Sequence, residues 1–193
     1  MKLVFATHNQ HKVNEVQSLL PNNITILSLN DIGCFEEIPE TAATLEGNAT
    51  LKADFVTANY GYDCFADDTG LLVDALNGAP GVLSARYAGE QKSAAANMTK
   101  LLDALKDKNN RTARFKTCIA LNIQTQKLVF NGEVEGEITM KKHGTEGFGY
   151  DPIFKPTNFT ETFAELPMDI KNEISHRGKA VKELITYLNQ NHK

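Results

Sequence analysis

Apolar and polar positions along the chain alternate between strand-like runs and helix-like stripes, which together predict an α/β fold. Leu3–Ala6 is a short apolar run typical of a buried strand. A polar segment follows, and Val13, Val16 and Leu20 then recur at the spacing of one helix face. Because Pro21 cannot continue a helix, the chain is predicted to begin as a strand, a polar loop and a helix.

The same patterns predict the other elements. Strands are expected over Ile24–Leu29, Ala113–Ile123 and Lys127–Ile138, and helices over Thr44–Tyr60, Ser93–Leu105 and a last stretch striped by Val181, Leu184, Ile185 and Leu188. Gly61 suits the left-handed end of the helix before it, and Ser93 suits an N-cap. Phe115, Ile119, Leu121 and Ile123 are predicted to alternate inward along their strand.

Two adjacent carboxylates carry the densest chemical signal in the sequence. Asp67 and Asp68 follow the apolar run Cys64–Ala66, and a Thr-Gly pair comes next. We expect the strand to end here, in a turn that presents the acidic groups to a ligand. Because adjacent strand residues point to opposite faces, one carboxylate is predicted to be the working group and the other its support.

Two polar segments are candidates for contact with phosphate. Free N–H groups at the helix start after Thr7–His11 favour anions, and Lys12 adds a full positive charge, although the glycines of a Walker loop are missing. On the second predicted helix, Thr44, Asn48 and Lys52 share one face. Taken alone, the first segment is equally consistent with an ordinary capped helix, and the row of three favours a solvent-exposed face.

The chain from Asp31 to Glu40 is rich in acidic residues and is predicted to be a loop. Glu36 and Glu37 are typical of a solvated surface, as runs of like charge usually are. Glu40 differs, because Pro39 fixes the chain just before it and a helix follows. The segment therefore offers one carboxylate, that of Glu40, in an ordered position.

A second glycine-rich segment, KKHGTEGFGYD, spans residues 141–151. Its glycines allow a ligand to approach the backbone closely, and Phe148 offers a stacking face. The spacing is not that of a dinucleotide-binding motif, and a mobile surface loop is the alternative. Further along, His176 and Arg177 stand at the start of the last helix, where a pair of cations is costly unless it holds an anion.

Composition excludes several classes of function. The 193 residues carry a net charge of −4, from 20 basic and 24 acidic residues, which argues against a general nucleic-acid-binding surface. Cys34, Cys64 and Cys118 show no CxxC spacing and are expected to be reduced thiols rather than a disulfide frame or a zinc site. The apolar start is too short for a signal peptide, and no run is long enough to span a membrane, so we expect a cytoplasmic protein.

Several different short motifs are spread along the chain, from the first predicted strand to the last predicted helix. They are TxNxxK at Thr7–Lys12, PET at Pro39–Thr41, NATLKA at Asn48–Ala53, ADDTGLLVDALNGAPG at Ala66–Gly81, SARYAG at Ser84–Gly89, GFGYDPIF at Gly147–Phe154 and SHRGKA at Ser175–Ala180. In this order they resemble the inosine triphosphate pyrophosphatases, also called dITP/XTP or non-standard purine NTP pyrophosphatases. Two positions depart from that pattern: His8 stands where many members have Gly, and Gly47 where many have Glu.

The resemblance implies an elongated α/β fold in which a mixed, twisted sheet is flanked by helices in two lobes. It implies that residues 1–193 act as a single domain with the active site in the central cleft, and that the protein is a homodimer. It further implies Mg²⁺-dependent hydrolysis of non-standard purine nucleoside triphosphates (ITP, dITP and XTP) to the monophosphate and pyrophosphate. Such a reaction removes these nucleotides from the nucleotide pool.

The resemblance also implies roles for individual residues. Asp68 is implied to be the catalytic base and, with Glu40, a ligand of Mg²⁺, which prefers carboxylate oxygens. The residues implied to bind substrate are Thr7, His8, Asn9, Gln10, His11, Lys12, Lys52, Thr69, Phe148, Gly149, Tyr150, Asp151, Lys171, His176 and Arg177. Of these, the lysines are cations for the triphosphate, Phe148 stacks on the purine, and the residues after Phe148 together with His176 and Arg177 recognise the base edge. Asp67 is left with a supporting role, such as holding a water bound to the metal.

Two alternatives stay open from the sequence. One is a pyrophosphatase of the Maf-like type, which acts on pyrimidine or modified nucleotides with a similar architecture. The other is a nucleotide-binding regulator without turnover. The Phe148–Asp151 and His176–Arg177 pieces favour a purine, and the presence of Asp68, Glu40 and Lys12 favours an enzyme. No nucleic acid or membrane partner is expected.

Overall fold

A computed structural model describes residues 1–191 of the chain as an α/β structure, which confirms the predicted fold class. Its strands are β1 (Lys2–Phe5), β2 (Thr25–Leu27), β3 (Cys64–Val73), β4 (Pro80–Gly81), β5 (Thr112–Ile123), β6 (Gln126–Ile138) and β7 (Phe154–Pro156). Its α-helices are α1 (Gln10–Leu19), α2 (Leu45–Tyr60), α3 (Ala94–Ala104), α4 (Met168–Ile174) and α5 (His176–Asn191). Short 3₁₀ turns lie at Asn30–Ile32, Asp74–Leu76, Ser84–Arg86 and Asp151–Ile153.

The strands form a mixed sheet in the order β2-β1-β3-β5-β6-β7, with β4 beside β3. β1 is parallel to both β2 and β3, and its Val4 lies opposite Leu27 on one side and Cys64 on the other. β4 pairs antiparallel with β3, and β7 pairs antiparallel with β6. The helices α1 and α2 connect the parallel strands, as parallel pairing requires a crossover.

The chain divides into two compact units. Unit 1 comprises Met1–Asp68, Thr117–Gly132 and the chain from Arg177, and unit 2 comprises Thr69–Lys116 and Glu133–His176. The divisions fall within β3, β5 and β6 and at the start of α5. Each unit has its own apolar core.

In unit 1 the two faces of the sheet have separate cores. The core between the sheet and the helices α1 and α5 includes the sheet residues Leu3, Phe5, Phe65, Ile119 and Leu121 and the helix residues Val16, Val181, Leu184 and Leu188. The core between the sheet and α2 includes the residues Val4, Ala6, Cys64, Ala66 and Ala120 on the sheet side and the helix residues Ala49, Ala53 and Val56. Odd-numbered residues of β1 and β3 therefore face α1 and α5, and even-numbered residues face α2, as the two-residue strand period requires.

This double covering changes the expectation for β5. The inward residues predicted from alternation, among them Ile119 and Leu121, are buried. However, all residues from 117 to 123 are buried, including Ala120 and Asn122 between them. Alternation predicted one buried face, whereas a sheet covered on both faces buries both.

The strand β3 does not end at the paired carboxylates, so the predicted turn at this point is wrong. β3 continues through Asp67 and Asp68 to Val73, and the chain turns only at Asp74–Leu76. The extension has a physical cause, because Leu71 and Val73 are fully buried and Leu71 pairs with Gly81 of β4. Both carboxylates therefore project from regular strand.

The predicted helix ends are confirmed. The Thr44 side chain caps α2 by accepting a hydrogen bond from the Gly47 amide, and Gly61 ends the helix with a left-handed φ of 71°. Ser93 caps α3 by accepting from the Ala96 amide. Within residues 1–191, no helix is both long and apolar enough to cross a membrane.

Unit 2 is built around aromatic side chains. The rings of Phe115 and Phe154 lie edge to face with centroids 4.7 Å apart, and Phe154 and Phe163 are 5.2 Å apart. Leu101 and Leu105, from α3 and its end, are also fully buried in this core. These aromatic and aliphatic side chains form the apolar core of unit 2.

Candidate active site

Because side chains alternate along β3, the carboxylates of Asp67 and Asp68 lie on opposite faces of the sheet in unit 1. Asp67 has the same parity as Phe65 and faces α1 and α5, whereas Asp68 has the parity of Ala66 and faces α2. Each carboxylate gathers its own set of charged and polar side chains. We call these sets the α1–α5 cluster (Lys12, Glu15, Asp67 and Arg177) and the α2 cluster (Glu40, Asn48, Lys52 and Asp68).

The α1–α5 cluster is a buried set of two cations and two carboxylates. The Lys12 ammonium donates to Asp67 Oδ1 at 2.8 Å, and the Arg177 Nε donates to Asp67 Oδ2 at 3.2 Å. The Arg177 guanidinium also makes a hydrogen-bonded ion pair with Glu15. The side chains of Glu15, Asp67 and Arg177 are each at most 4% exposed, so every charge in this set relies on its partners rather than on water.

The charges in the α1–α5 cluster shift one another. Burial would raise the pKa of Asp67, but attraction by Lys12 and Arg177 outweighs it and holds the pKa well below its usual range. Burial lowers the pKa of Lys12, with Asp67 opposing that change. Burial also acts to lower the pKa of Arg177, but Asp67 and Glu15 raise it overall. Asp67 is therefore ionised at neutral pH and serves as the shared counter-ion of both cations.

The α2 cluster contains one cation and two carboxylates. The Lys52 ammonium lies 2.7 Å from Glu40 Oε1, 3.9 Å from Asp68 Oδ1 and 2.7 Å from the Asp67 main-chain oxygen. The Asn48 side-chain amide donates to Asp68 Oδ2 at 3.1 Å. The Glu40 side chain is 28% exposed, so the cluster reaches solvent at that carboxylate.

The pKa shifts of the α2 cluster follow from its excess of carboxylates. Burial raises the pKa of Asp68, Lys52 opposes that effect, and repulsion by Glu40 adds to it. Burial lowers the pKa of Lys52, but attraction by Asp68 and Glu40 raises it overall. Asp68 is thus a better proton acceptor than an ordinary aspartate, and Lys52 stays charged.

The donor set of the α2 cluster fits a hard divalent cation. Glu40 and Asp68 supply carboxylate oxygens, and the net negative charge of the cluster favours a further cation. No group of three or more His, Cys, Asp or Glu side chains suited to a metal occurs in residues 1–191. Mg²⁺ is typically held by one or two carboxylates together with substrate phosphates and waters, so two carboxylates suffice for it.

The segment before α1 is a capped helix start in unit 1. Asn9 is the N-cap of α1, and its side-chain oxygen accepts from the amides of His11 and Lys12. Thr7 Oγ1 accepts from the Asn9 amide at 3.1 Å. Of the residues Thr7 to His11, all but Thr7 are exposed, which suits contact with a ligand. The capped-helix and anion-site interpretations are therefore compatible, since the N–H groups of a helix start attract anions.

Two of the three residues in the predicted row are buried rather than solvent-exposed. Asn48 is fully buried and Lys52 is 8% exposed, and both side chains contact Asp68. Thr44, the N-cap of α2, is exposed. The solvent-face interpretation is therefore wrong for Asn48 and Lys52, because the face that they share packs against β3, and it holds for Thr44.

In unit 2, Asp151 is the centre of the predicted substrate-binding residues. Its Oδ2 accepts from the Lys171 ammonium and from the Phe148 amide, at 2.8 Å and 2.7 Å. The Lys171 nitrogen also lies 5.3 Å from the centroid of the half-buried Phe148 ring. Gly147 permits this arrangement, because a Cβ there would lie 2.2 Å from Asp151 Oδ2.

The other predicted substrate-binding residues of unit 2 are Tyr150, His176, Gly149 and Thr69, and they differ in burial. Tyr150 is buried, and its hydroxyl donates to the Ser84 main-chain oxygen at 2.8 Å. His176 is buried and stacks on Phe115 with ring centroids 4.7 Å apart. Gly149 has a left-handed φ of 65°, and Thr69 is half-buried in β3. Of these, Gly149 and Thr69 are the residues not fully buried.

The sequence analysis missed two residues that the structure brings into the clusters. Glu15 forms the ion pair with Arg177, and Asn48 was noted only as part of a helical row. Glu15 lies three residues after Lys12 on α1, so both side chains occupy one side of that helix. The spacing of Lys12 and Glu15 was the available signal that Glu15 lies near the site. However, Arg177, the partner of Glu15, lies 162 residues away along the chain.

Comparison with known proteins places the whole chain in one group. The model of the Ham1 family matches residues 3–187. A dITP/XTP pyrophosphatase of Flavobacterium johnsoniae is 67% identical over 97% of this chain and 98% of its own length, and one of Porphyromonas gingivalis is 53% identical over 97% of each. Among solved structures, the Staphylococcus aureus Ham1 protein superposes with a TM-score of 0.89 at 39% identity, covering 98% of this chain and 99% of that one. A HAM1 protein from Coxiella burnetii gives a TM-score of 0.91 at the same identity and coverage.

Proposed function

The chain belongs to the Ham1 family, and from that premise we propose that it hydrolyses non-standard purine nucleoside triphosphates, dITP and XTP among them, to the monophosphate and pyrophosphate. The observation that carries the proposal is the α2 cluster, in which two carboxylates share one lysine and reach solvent at Glu40. Such a cluster is suited to a divalent cation and to activation of water. Relatives named as dITP/XTP pyrophosphatases support the choice of substrate.

We propose Mg²⁺ as the cofactor, held by Glu40 and Asp68. When bound, the ion supplies neutralisation of the phosphate charge and polarisation of a phosphoryl oxygen. The two carboxylates are the right donors for this ion, and the Lys52 ammonium contacts both of them and holds them in position.

Asp68 is the proposed general base. A water oxygen forms a bond to the α-phosphorus, its proton passes to a carboxylate oxygen of Asp68, and the bond from the α-phosphorus to the bridging oxygen breaks. Pyrophosphate leaves with that oxygen and its electron pair. The raised pKa of Asp68 favours the proton transfer, because burial and Glu40 make the protonated form more accessible.

The cations and amides of unit 1 are proposed to hold the triphosphate. The Lys12 ammonium is hydrogen-bonded to the Asp67 carboxylate, and the start of α1 adds main-chain N–H groups beside Lys12. Thr7, His8, Asn9, Gln10 and His11 are proposed contacts on the same segment, and Lys52 is a second cation. Because Lys12 is fixed by an ionised partner, its charge is preorganised for phosphate.

Selection of the base is proposed to rest on the other predicted residues. In unit 2 these are Phe148, Gly149, Tyr150, Asp151 and His176, with Phe148 as the stacking surface. Thr69 and Lys171, also in unit 2, are proposed to contact the triphosphate, Lys171 as a further cation. In unit 1, Arg177 is proposed to donate to the base edge, and Asp67 and Glu15 fix the plane of its guanidinium. Donors toward a 6-keto group favour hypoxanthine and xanthine over adenine, whose 6-amino group also donates.

We further propose a homodimer that acts in the cytoplasm, with the chain serving as one catalytic domain. The three cysteines are buried thiols, which suits a reducing compartment. Light scattering is expected to give twice the chain mass of 21.3 kDa at micromolar concentration. A mass of one chain would overturn the dimer.

A pyrophosphate-release assay tests the function directly. The purified protein is given ITP, dITP, XTP, ATP, GTP and UTP, each with and without Mg²⁺. We expect turnover of the first three with Mg²⁺ and little turnover of the others. Preference for UTP would instead indicate a Maf-like enzyme, and nucleotide binding without pyrophosphate release would indicate a regulator.

A further inference from the structure

The segment that carries Glu40 lacks regular secondary structure. Residues 34–44, which we call the acidic segment, lie between a 3₁₀ turn and the start of α2. Cys34 is fully buried and Ile38 packs against the same apolar core of unit 1, whereas Phe35 is 77% exposed. Glu40 itself contacts the Lys52 ammonium at 2.7 Å, and polar contacts on either side of Glu40 add to this anchoring.

Side-chain contacts hold the acidic segment on both sides of Glu40. His8 Nε2 lies 3.0 Å from the Glu36 main-chain oxygen, and the Tyr60 hydroxyl donates to the Glu36 carboxylate at 3.3 Å. After Glu40, the Ala42 amide donates to the Asn48 side chain at 2.9 Å. The contact with His8 links this segment to the polar segment before α1.

Gly47 allows the acidic segment to approach α2 closely. A Cβ built on Gly47 would lie 2.6 Å from the Ala42 Cβ and 3.1 Å from Thr44 Oγ1. Even an alanine would thus force the segment to move. The two positions at which the sequence departs from its family pattern, His8 and Gly47, therefore touch the same segment.

We propose that His8 and Gly47 are positioning residues that dock the acidic segment, so that Glu40 is held beside Asp68 for a divalent cation. His8 supplies a hydrogen bond on one side of Glu40, and Gly47 supplies the space for close packing on the other. The part of this inference that concerns the metal rests on the proposed function. The docking itself does not, because it follows from contacts within unit 1.

Docking is measured on the protein without nucleotide or metal. Hydrogen–deuterium exchange of peptides that include the Ala42 amide is compared for the wild type, His8→Ala, His8→Gln and Gly47→Ala. We expect faster exchange in His8→Ala and Gly47→Ala, and near wild-type exchange in His8→Gln, whose side-chain amide can donate to the same carbonyl. Tyr60→Phe should give a smaller increase, and Tyr62→Phe, the same change two residues away, should give none.

Metal affinity is measured with Mn²⁺ alone, by the electron paramagnetic resonance signal of the free ion. The dissociation constant is expected to rise about fivefold in His8→Ala, the factor that corresponds to one hydrogen bond. Gly47→Ala should also weaken Mn²⁺ binding, and its melting temperature is measured beside it, because the better helix propensity of alanine opposes the cost of displacing Ala42. Loss of affinity without loss of stability would not arise from a merely structural role.

The outcomes separate the two proposals. Unchanged exchange in both His8→Ala and Gly47→Ala overturns the docking. Faster exchange with an unchanged Mn²⁺ affinity overturns its role in positioning Glu40. If the wild type itself does not bind Mn²⁺, the metal site of the proposed function is wrong, while the exchange data still decide whether these residues dock the segment.

Discussion

The two charged clusters of unit 1 differ although their carboxylates are neighbours in one strand. The α1–α5 cluster balances two cations with two carboxylates and is almost fully buried. The α2 cluster has one cation for two carboxylates and reaches solvent at Glu40. The formal charges of the α1–α5 cluster cancel, whereas the α2 cluster has a net negative charge and is suited to one more cation. Two residues of the same type and adjacent in the chain therefore differ in chemical character because of charge balance and access to solvent, which is the basis for proposing Asp68 rather than Asp67 as the catalytic residue.

The difference also appears in the proton affinities of the two aspartates. The pKa of Asp67 is lowered because two cations outweigh its burial, and the pKa of Asp68 is raised because burial and Glu40 outweigh Lys52. Ionisation of Asp67 therefore stabilises the fold, while ionisation of Asp68 costs stability. Under the proposed function Asp68 is the reactive group, whereas Asp67 holds Lys12 and Arg177 in position.

Asp68→Asn should have the largest effect on activity. Loss of a general base is expected to lower kcat/KM for ITP by about 10²–10⁴-fold. The melting temperature at neutral pH should stay the same or rise, because a desolvated charge is removed. Pyrophosphate release and thermal unfolding measure the two effects, with Asp107→Asn, an exposed aspartate, as the matched control. Near-normal turnover would show that the base lies elsewhere.

Asp67→Asn should have the largest effect on stability. The change leaves Lys12 and Arg177 with one carboxylate between them, and breaking a buried pair of this kind costs about 3–5 kcal/mol. Urea unfolding at neutral pH gives the free energy of unfolding, again against Asp107→Asn. A loss below about 1 kcal/mol, the range of surface ion pairs, would contradict the anchoring role.

Glu40→Gln should raise the Mg²⁺ requirement of the α2 cluster without affecting the other cluster. We expect the Mg²⁺ concentration for half-maximal pyrophosphate release to rise about tenfold or more, as for other residues that support metal sites. The free energy of unfolding should change little, since Glu40 is partly exposed. Glu37→Gln changes the same residue type in the same segment and should leave the Mg²⁺ dependence unchanged. An equal shift in both variants would indicate a general charge effect.

The pH dependence of stability should show the smallest effect. Because the pKa of Asp67 is lower in the folded than in the unfolded protein, its contribution is complete above about pH 5 and is lost as pH falls through the unfolded value of about 3.9 and below. The difference in free energy of unfolding between the wild type and Asp67→Asn should therefore shrink from pH 6 to pH 3. A difference that stays constant over this range would mean that the pKa of this carboxyl is the same in the folded and the unfolded protein.

Much of the local structure could be predicted from the sequence. The end of α2 at Gly61 and the cap of α3 at Ser93 lie where their residue types favour them. Val181, Leu184 and Leu188 pack in the core as their helical spacing predicts. These features depend on residues within four positions of one another, which is the range over which a periodic pattern carries information.

The sequence by itself also determined that Asp67 and Asp68 point to opposite faces, because that follows from strand geometry alone. Only the tertiary structure decided what each face holds. β3 continues past Asp68 because Leu71 and Val73 find a buried environment, and the row of Asn48 and Lys52 is buried because α2 packs on the face that Asp68 occupies. The pairing of Glu15 with Arg177 joins residues from α1 and α5 that are distant in the chain. Such partners are set by how elements pack across the sheet, and a local pattern does not encode that packing.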